Sequence, residues 1–397
     1  MSTASKPERL SLEPLGDERF SRFELISWWE QERLTSGKVL VIGAGALGNE
    51  IVKNCAMAGV GNVLVCDMDR IENSNLTRSV LFREKDNGRY KAEVACRTAR
   101  DIYPAILAHP FIGNVVHDLG LGVFFWADVI LGGLDNREAR VAINGASLFA
   151  GKTWIDGAIE VLNGVARVFS PGDGPCYECT MSDVDWKMLE SRRSCALLTR
   201  EQLNEGKVPT TPTTASIIAA IQVQETIKLL HGLPTLSGSG FVYNGLSTEA
   251  YVVGYKRKPD CCAHDRYETL ERLSAGVADV TLGDLLKRAR AVLGENATIR
   301  LSRDILIALT CARCGTREPV FRSLGKVSEK EGRCPTCGEM RAPETAITLG
   351  LEPGLEELTF AHLGLPPFDV VTARAGERSV SYLFDGDAEA VLGKLLR

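Results

Sequence analysis

The sequence predicts an α/β protein, a doubly wound, mostly parallel sheet with helices on both faces, followed by a small C-terminal domain containing a zinc ribbon. Three observations predict it. Short apolar runs alternate with stretches of helical spacing over the first half of the chain, as in a parallel sheet crossed by helices. A G-x-G-x-x-G turn, Gly43 to Gly48, follows the first strong apolar run. Two C-x-x-C pairs, Cys311/Cys314 and Cys334/Cys337, each followed by glycine and separated by residues 315–333, carry the spacing of a zinc ribbon.

The elements follow in order. Residues 10–36 are charged and aromatic and read as one or two helices. Residues 38–42 form a short apolar strand, 43–48 the turn, and 49–57 a helix ended by Gly59. A second strand, 62–66, places Asp67 at its carboxyl end. Helical spacing returns over 91–102 and is closed by Tyr103-Pro104. Residues 127–131 are another buried strand, leading to Asp135 and Asn136. Ligands of such sheets bind at the carboxyl ends of the strands, where the turn, Asp67 and Asp135 all fall. The pattern is strand-like over 158–169, then polar over 181–208. Pro209 to Thr214 introduces a long apolar helix, 216–230, and strands near 240–243 and 250–253 complete the domain. The charged stretch 256–273 reads as a linker to a separate small module over 276–397.

Composition narrows the function. The 397 residues are 45% hydrophobic and 24% charged, with mean hydropathy −0.02, as in an ordinary globular protein of two domains. No apolar run approaches the roughly 20 residues of a membrane helix, so no membrane partner is expected. The polar N-terminus lacks an apolar signal core, which implies a cytoplasmic protein. A net charge of −5 gives no reason to expect nucleic acid. Of the twelve cysteines, Cys55, Cys66 and Cys96 sit in apolar contexts and read as core residues. Eight occur in close pairs, and without an export signal such pairs favour zinc over disulfides. Cys195 is left over. His109, His117, His231 and His362 have no partner legible in the sequence and read as surface or helix-end residues.

The turn and Asp67, 19 residues beyond Gly48, taken alone suggest a nicotinamide-dependent oxidoreductase with the acid on a ribose hydroxyl. The continuation favours ATP. Asp67, Asp69, Asn75, Arg78 and Lys91 form a cluster suited to a triphosphate and its metal, which a hydride carrier does not need.

That set resembles the ATP site of the ubiquitin-activating enzyme superfamily, which includes the ThiF- and MoeB-type adenylyltransferases. The motifs are the glycine turn, Asp67/Asp69, Ser74-Asn75-Leu76-Thr77-Arg78, Lys91 and Asp135-Asn136. Arg19-Phe-Ser-Arg22 is similar to the family's R-[FY]-x-R motif. The resemblance implies a Rossmann-like adenylation domain over 1–265, with a catalytic-cysteine segment at about 181–212, and a C-terminal domain over 276–397 with its ribbon at 311–338. It implies that Gly43, Gly45, Gly48, Asp67, Asp69, Asn75 and Asn136 bind nucleotide. Arg22, reaching the neighbour's site in a homodimer, Arg78 and Lys91 would meet the phosphates, and Asp135 would hold Mg²⁺. Cys176 and Cys179, preceded by Gly174-Pro175, would bind a first structural zinc. Where the family has a second C-x-x-C, this chain offers Cys261-Cys262-Ala-His264, so the set is Cys176, Cys179, Cys261 and His264, with Cys262 able to replace Cys261. Cysteines 311, 314, 334 and 337 make the second structural site.

The implied activity is ATP-dependent adenylation of a ubiquitin-like, β-grasp protein. Thioester formation on Cys195 and transfer to a carrier resembling a ubiquitin-conjugating enzyme would follow. Arg192 and Arg193 before Cys195 would lower its thiol pKa. The alternative within the family is a sulfur-carrier adenylyltransferase of molybdopterin or thiamine type, in which Cys195 is a loop residue without chemistry. A silent scaffold is a third reading, disfavoured by the assembled charge cluster. The C-terminal domain would recognise the activated protein or its carrier, so that its deletion would spare ATP binding.

Overall fold

The computed structural model describes residues 18–194, 209–264, 269–350 and 354–396. Eight strands form the first sheet: β1 (Lys38–Ile42), β2 (Asn62–Cys66), β3 (Leu107–Phe111), β4 (Val129–Gly133), β5 (Thr153–Glu160), β6 (Asn163–Phe169), β7 (Ser239–Asn244) and β8 (Glu249–Gly254). Their order is β3-β2-β1-β4-β5-β6-β7-β8; the first five run parallel, the last three antiparallel. The apolar runs KVLVI and NVLVC are interior strands, apolar throughout because both of their faces are covered.

Helices lie on both faces: α1 (Gln31–Ser36), α2 (Ala46–Ala58), α3 (Lys91–Ile102), α4 (Gly122–Trp126), α5 (Arg137–Ala150), α6 (Tyr177–Thr180), α7 (Asp183–Ser194) and α8 (Pro212–Leu230). One core, containing Ile51, Cys55, Cys96, Ile218 and Val223, sits between the sheet and α2, α3 and α8. The opposite face packs Leu40, Ile42 and Leu64 against Val123, Phe124 and Ile143 of α4 and α5. Cys55, Cys66 and Cys96 are buried, and burial pushes the thiols of Cys55 and Cys96 up to about 12. They are core residues, as expected.

The second sheet contains β9 (Leu270–Leu273), β10 (Thr298–Thr310), β11 (Arg317–Ser323), β12 (Ala342–Leu349), β13 (Val370–Ala375) and β14 (Arg378–Phe384). Its order is β11-β10-β13-β14-β9, with β12 also pairing β10. Helix α9 (Leu282–Leu293) covers it, and α10 (Glu329–Gly332) and α11 (Ala388–Leu392) complete the chain.

Two expectations change here. The stretch 256–273, read as linker, supplies β9, which runs parallel to β14. Its LERL sequence has the charge of an edge strand and too few apolar residues to announce one. The 276–397 module is also less separate than its sequence suggests. Phe368, Val370, Leu383, Leu392 and Leu395 lie in the same apolar cluster as α4 and α5. At that seam Phe368 adopts a left-handed φ of 59° and its carbonyl accepts the Gly122 amide at 2.8 Å. A Cβ on Gly120 would stand 2.3 Å from the Pro367 oxygen, so only glycine permits the approach.

Candidate functional site

The glycine turn joins β1 to α2. Gly43 has φ 92°, and a Cβ there would lie 2.4 Å from the Gly133 oxygen. A Cβ on Gly48 would lie 1.9 Å from the Gly43 oxygen, so the helix can start only against a bare backbone. Gly45 differs, since a Cβ there would meet no atom within 4 Å. Its open face is the place where a phosphate could approach the backbone at the start of α2.

Asp67 closes β2 beside this turn. Its carboxylate accepts the Ala44 amide at 2.6 Å and the Asp69 amide at 2.7 Å. Burial holds its carboxyl above the usual range despite Lys91 and these two donors. Lys91, at the start of α3, pairs with Asp69 at 2.8 Å, and its side chain is only 12% exposed while Asp69 faces solvent. Asn75 accepts the Glu72 amide at 3.0 Å, and Arg78 donates to the Ser74 carbonyl at 2.8 Å, which shapes the S-N-L-x-R segment into a turn. Asp135 is exposed in the β4–α5 loop, on the same edge of the sheet. Asn136 caps α5, accepting the Ala139 amide at 2.8 Å. Arg22 is exposed, and among the described residues its side chain makes no hydrogen bond or ion pair. Cys195 lies outside the described residues, directly after α7.

Four residues that sequence reasoning missed support these groups. Asn49, fully buried on α2, donates to the Ala44 and Gly45 carbonyls and accepts the Leu81 amide, tying the turn to the chain after Arg78. Asp156 on β5 is fully buried between Arg140 and Arg167. Arg140 also donates to the carbonyls of Leu134 at 2.6 Å and Gly157 at 3.0 Å, fixing the backbone just before Asp135. Arg167 stands over the Tyr177 ring at 5.1 Å, next to Cys176. A charged residue in a strand or amphipathic helix reads as solvated, so no local signal marks Arg140, Asp156 or Arg167.

Both cysteine clusters assemble. Cys176 lies 3.7 Å from the sulfurs of Cys179 and Cys261, and Cys179 lies 3.2 Å from His264 Nε2. Cys262 is exposed, with its thiol toward the Asp260 carbonyl, so Cys261 is the sulfur facing the cluster. In the second, Cys311–Cys337 and Cys314–Cys334 are each 3.5 Å apart. Gly315 and Gly338, with φ 73° and 74°, let each loop fold back onto its first cysteine. Thiolates at roughly 2.3 Å from a tetrahedral zinc stand about 3.8 Å apart, so both donor sets fit that ion. Four ligands leave no position for water, which suits a structural role. Metal analysis of the purified chain should find two zinc ions, and Cys334→Ser should bind one and lose hydrogen-exchange protection over 311–341. Full protection over 311–341 in Cys334→Ser would remove the ribbon's metal dependence.

His117 and His231 are less isolated than expected. His117 Nδ1 lies 2.9 Å from the Ser323 hydroxyl across the seam, and buried His231 accepts the Glu30 amide at 3.0 Å.

A glycine turn and an acidic strand end on the carboxyl edge of a doubly wound sheet define an open α/β domain of the ligand-binding class. Within that class the chain belongs to the ThiF family, whose model matches residues 18–263, and so to the ubiquitin-activating enzyme superfamily. It is 31% identical over 279 residues to the SAMP-activating enzyme E1 of Haloferax volcanii, covering 66% of this chain and 94% of that protein. It is 30% identical over 237 residues to the sulfur carrier protein adenylyltransferase of Thermus thermophilus, covering 58% and 83%. The solved structure of E. coli MccB with ATP shares the fold at 23% identity, with a TM-score of 0.52 over 63% of this chain and 75% of that one. No helix among the described residues is long and apolar enough to cross a membrane.

Proposed function

We propose that this chain uses MgATP to adenylate the C-terminal carboxylate of a ubiquitin-like, β-grasp protein, and that Cys195 then accepts the acyl group as a thioester. The observation that supports it most is the convergence of the Gly45 face, Asp67 and the Lys91–Asp69 pair on one sheet edge in a ThiF-family chain.

In the first step a carboxylate oxygen of the partner attacks the α-phosphorus, the bond to the bridging oxygen breaks, and pyrophosphate leaves. The open Gly45 amide region and α2 receive the phosphates, and Asp67 orients the ribose. Lys91 and Arg78 offset the charge that develops on the leaving group. Asp135 and Asp69 supply the oxygen donors that a hard cation takes, and Mg²⁺ bound there would neutralise phosphate charge. Asn136 holds the Asp135 loop by capping α5. Arg22 completes the site of a second copy in a homodimer. In the second step the Cys195 thiolate attacks the acyl carbon and AMP leaves. The thioester then passes to a carrier cysteine.

A second reading, a sulfur-carrier adenylyltransferase in which Cys195 is dispensable, is favoured by the similarity to the Thermus thermophilus protein. Intact mass without reductant, after mixing with MgATP and a β-grasp partner, separates the two. A thiol-labile adduct on the wild type that is missing from Cys195→Ala supports the thioester. Partner adenylate with no enzyme adduct supports the sulfur-carrier reading and refutes the role of Cys195.

A further inference from the structure

We infer that Arg303, in the second sheet, is a positioning residue for the nucleotide site, because it holds the loop at 113–121 that walls the Asp67–Asp69 segment. The inference rests on the ATP reading given above. The loop leaves β3 at the same sheet edge as Asp67, whose amide donates to the Phe111 carbonyl at 3.1 Å. The Cys66 thiol lies 3.5 Å from the Gly113 carbonyl, and Asn114 Nδ2 lies 3.6 Å from the sulfur of Met68, between the two acids. Asn114 also orders the loop from within, through its amide to Asp118 and its side-chain oxygen to the Val116 amide.

The outer side of this loop is held by the second sheet. Arg303, whose side chain is 9% exposed, donates to the carbonyls of Val116 at 2.9 Å and Leu119 at 3.2 Å, and to Asp369 at 3.1 Å. Asp369, fully buried, accepts the Leu121 amide at 2.9 Å and the Ser302 hydroxyl at 2.6 Å. The Lys326–Asp118 ion pair and the His117–Ser323 contact brace the rim. The apolar cluster already joins the two sheets. A buried ion pair adds little adhesion to such a seam because desolvation offsets its attraction. What it adds is geometry, since it satisfies two loop carbonyls that burial would leave unpaired and thereby sets where the loop stands. The C-terminal domain is then part of the nucleotide site's frame, and deleting it would not spare ATP binding.

The test measures binding of a non-hydrolysable ATP analogue with Mg²⁺ by calorimetry, on the full chain, together with KM and kcat for ATP in pyrophosphate exchange. Arg303→Met is expected to weaken analogue binding about tenfold and raise KM for ATP more than it lowers kcat, with Arg303→Lys recovering part of the loss. Arg341→Met is the control. That buried arginine bonds Glu318 and the carbonyls of Glu331 and Gly332 at the ribbon base, so its loss should lower thermal stability and leave nucleotide affinity within about twofold. Asn114→Ala, which removes the loop's link to Met68 and its internal bond to the Val116 amide while leaving Arg303 and Asp369 in place, should weaken binding as Arg303→Met does, and it carries the test if the latter does not fold. Wild-type affinity in Arg303→Met or Asn114→Ala, or equal weakening in Arg341→Met, overturns the inference. A wild-type chain that binds no nucleotide overturns the ATP reading instead.

Discussion

Lys91→Ala should lower ATP-dependent pyrophosphate exchange by about 10²–10³-fold, the scale on which removal of one pre-placed charge from a developing anion acts. For this proposed role the lysine is already held in place by the fold. Its side chain is largely covered, its ammonium is held by Asp69, and its backbone amide donates to the Asp69 carbonyl at 2.9 Å. Little reorganisation is then needed when phosphate replaces solvent beside it. The loss should fall on kcat more than on KM, because the leaving group gains its charge only in the transition state. Asp69→Asn keeps the cation and removes only its anchor, so its effect should be smaller. Exchange within threefold of wild type in Lys91→Ala would refute the assignment.

Asp156→Asn should destabilise the fold by about 3–5 kcal/mol, because it strands the largely covered guanidinium groups of Arg140 and Arg167 around a neutral amide. Burial alone would raise the Asp156 carboxyl, but Arg140 and Arg167 outweigh it and hold the group below the usual carboxylate range. A folded-state pKa depressed in this way contributes stability that is present above the unfolded value and is lost as pH falls through the folded one. Urea midpoints of the wild type should therefore drop below about pH 4, and the variant should lack that component. Activity should fall beyond the stability loss, because Arg140 also fixes the Leu134 carbonyl ahead of Asp135. A midpoint in Asp156→Asn equal to wild type at pH 7 would show that the pair is replaceable.

The glycine turn, the acid at the end of β2, Lys91 and the ribbon could be read directly because each is a local demand. Gly43 needs a left-handed φ, Gly48 needs a bare backbone, and the cysteines need fixed spacing. Asn49, Arg140 and Arg303 were not legible. Their partners, Leu81, Asp156 and Asp369, lie 32, 16 and 66 residues away in sequence, and a polar residue in a helix or strand has the same local appearance whether buried or solvated. The same reasoning explains β9, whose four residues earn strand geometry only from pairing with β14, and the second sheet's seat on α4 and α5, which no single segment encodes.

The close fit of Pro367 and Phe368 over Gly120 and Gly122 sets a rule for recombination. A chimera that transplants the ribbon domain onto another relative must bring glycine at both positions of the host loop, together with the left-handed turn at 368. Any side chain at 120 would lift the graft from its seat by the width of a methyl group. The two halves of this protein therefore fit as a matched pair, whatever freedom their separate cores would allow.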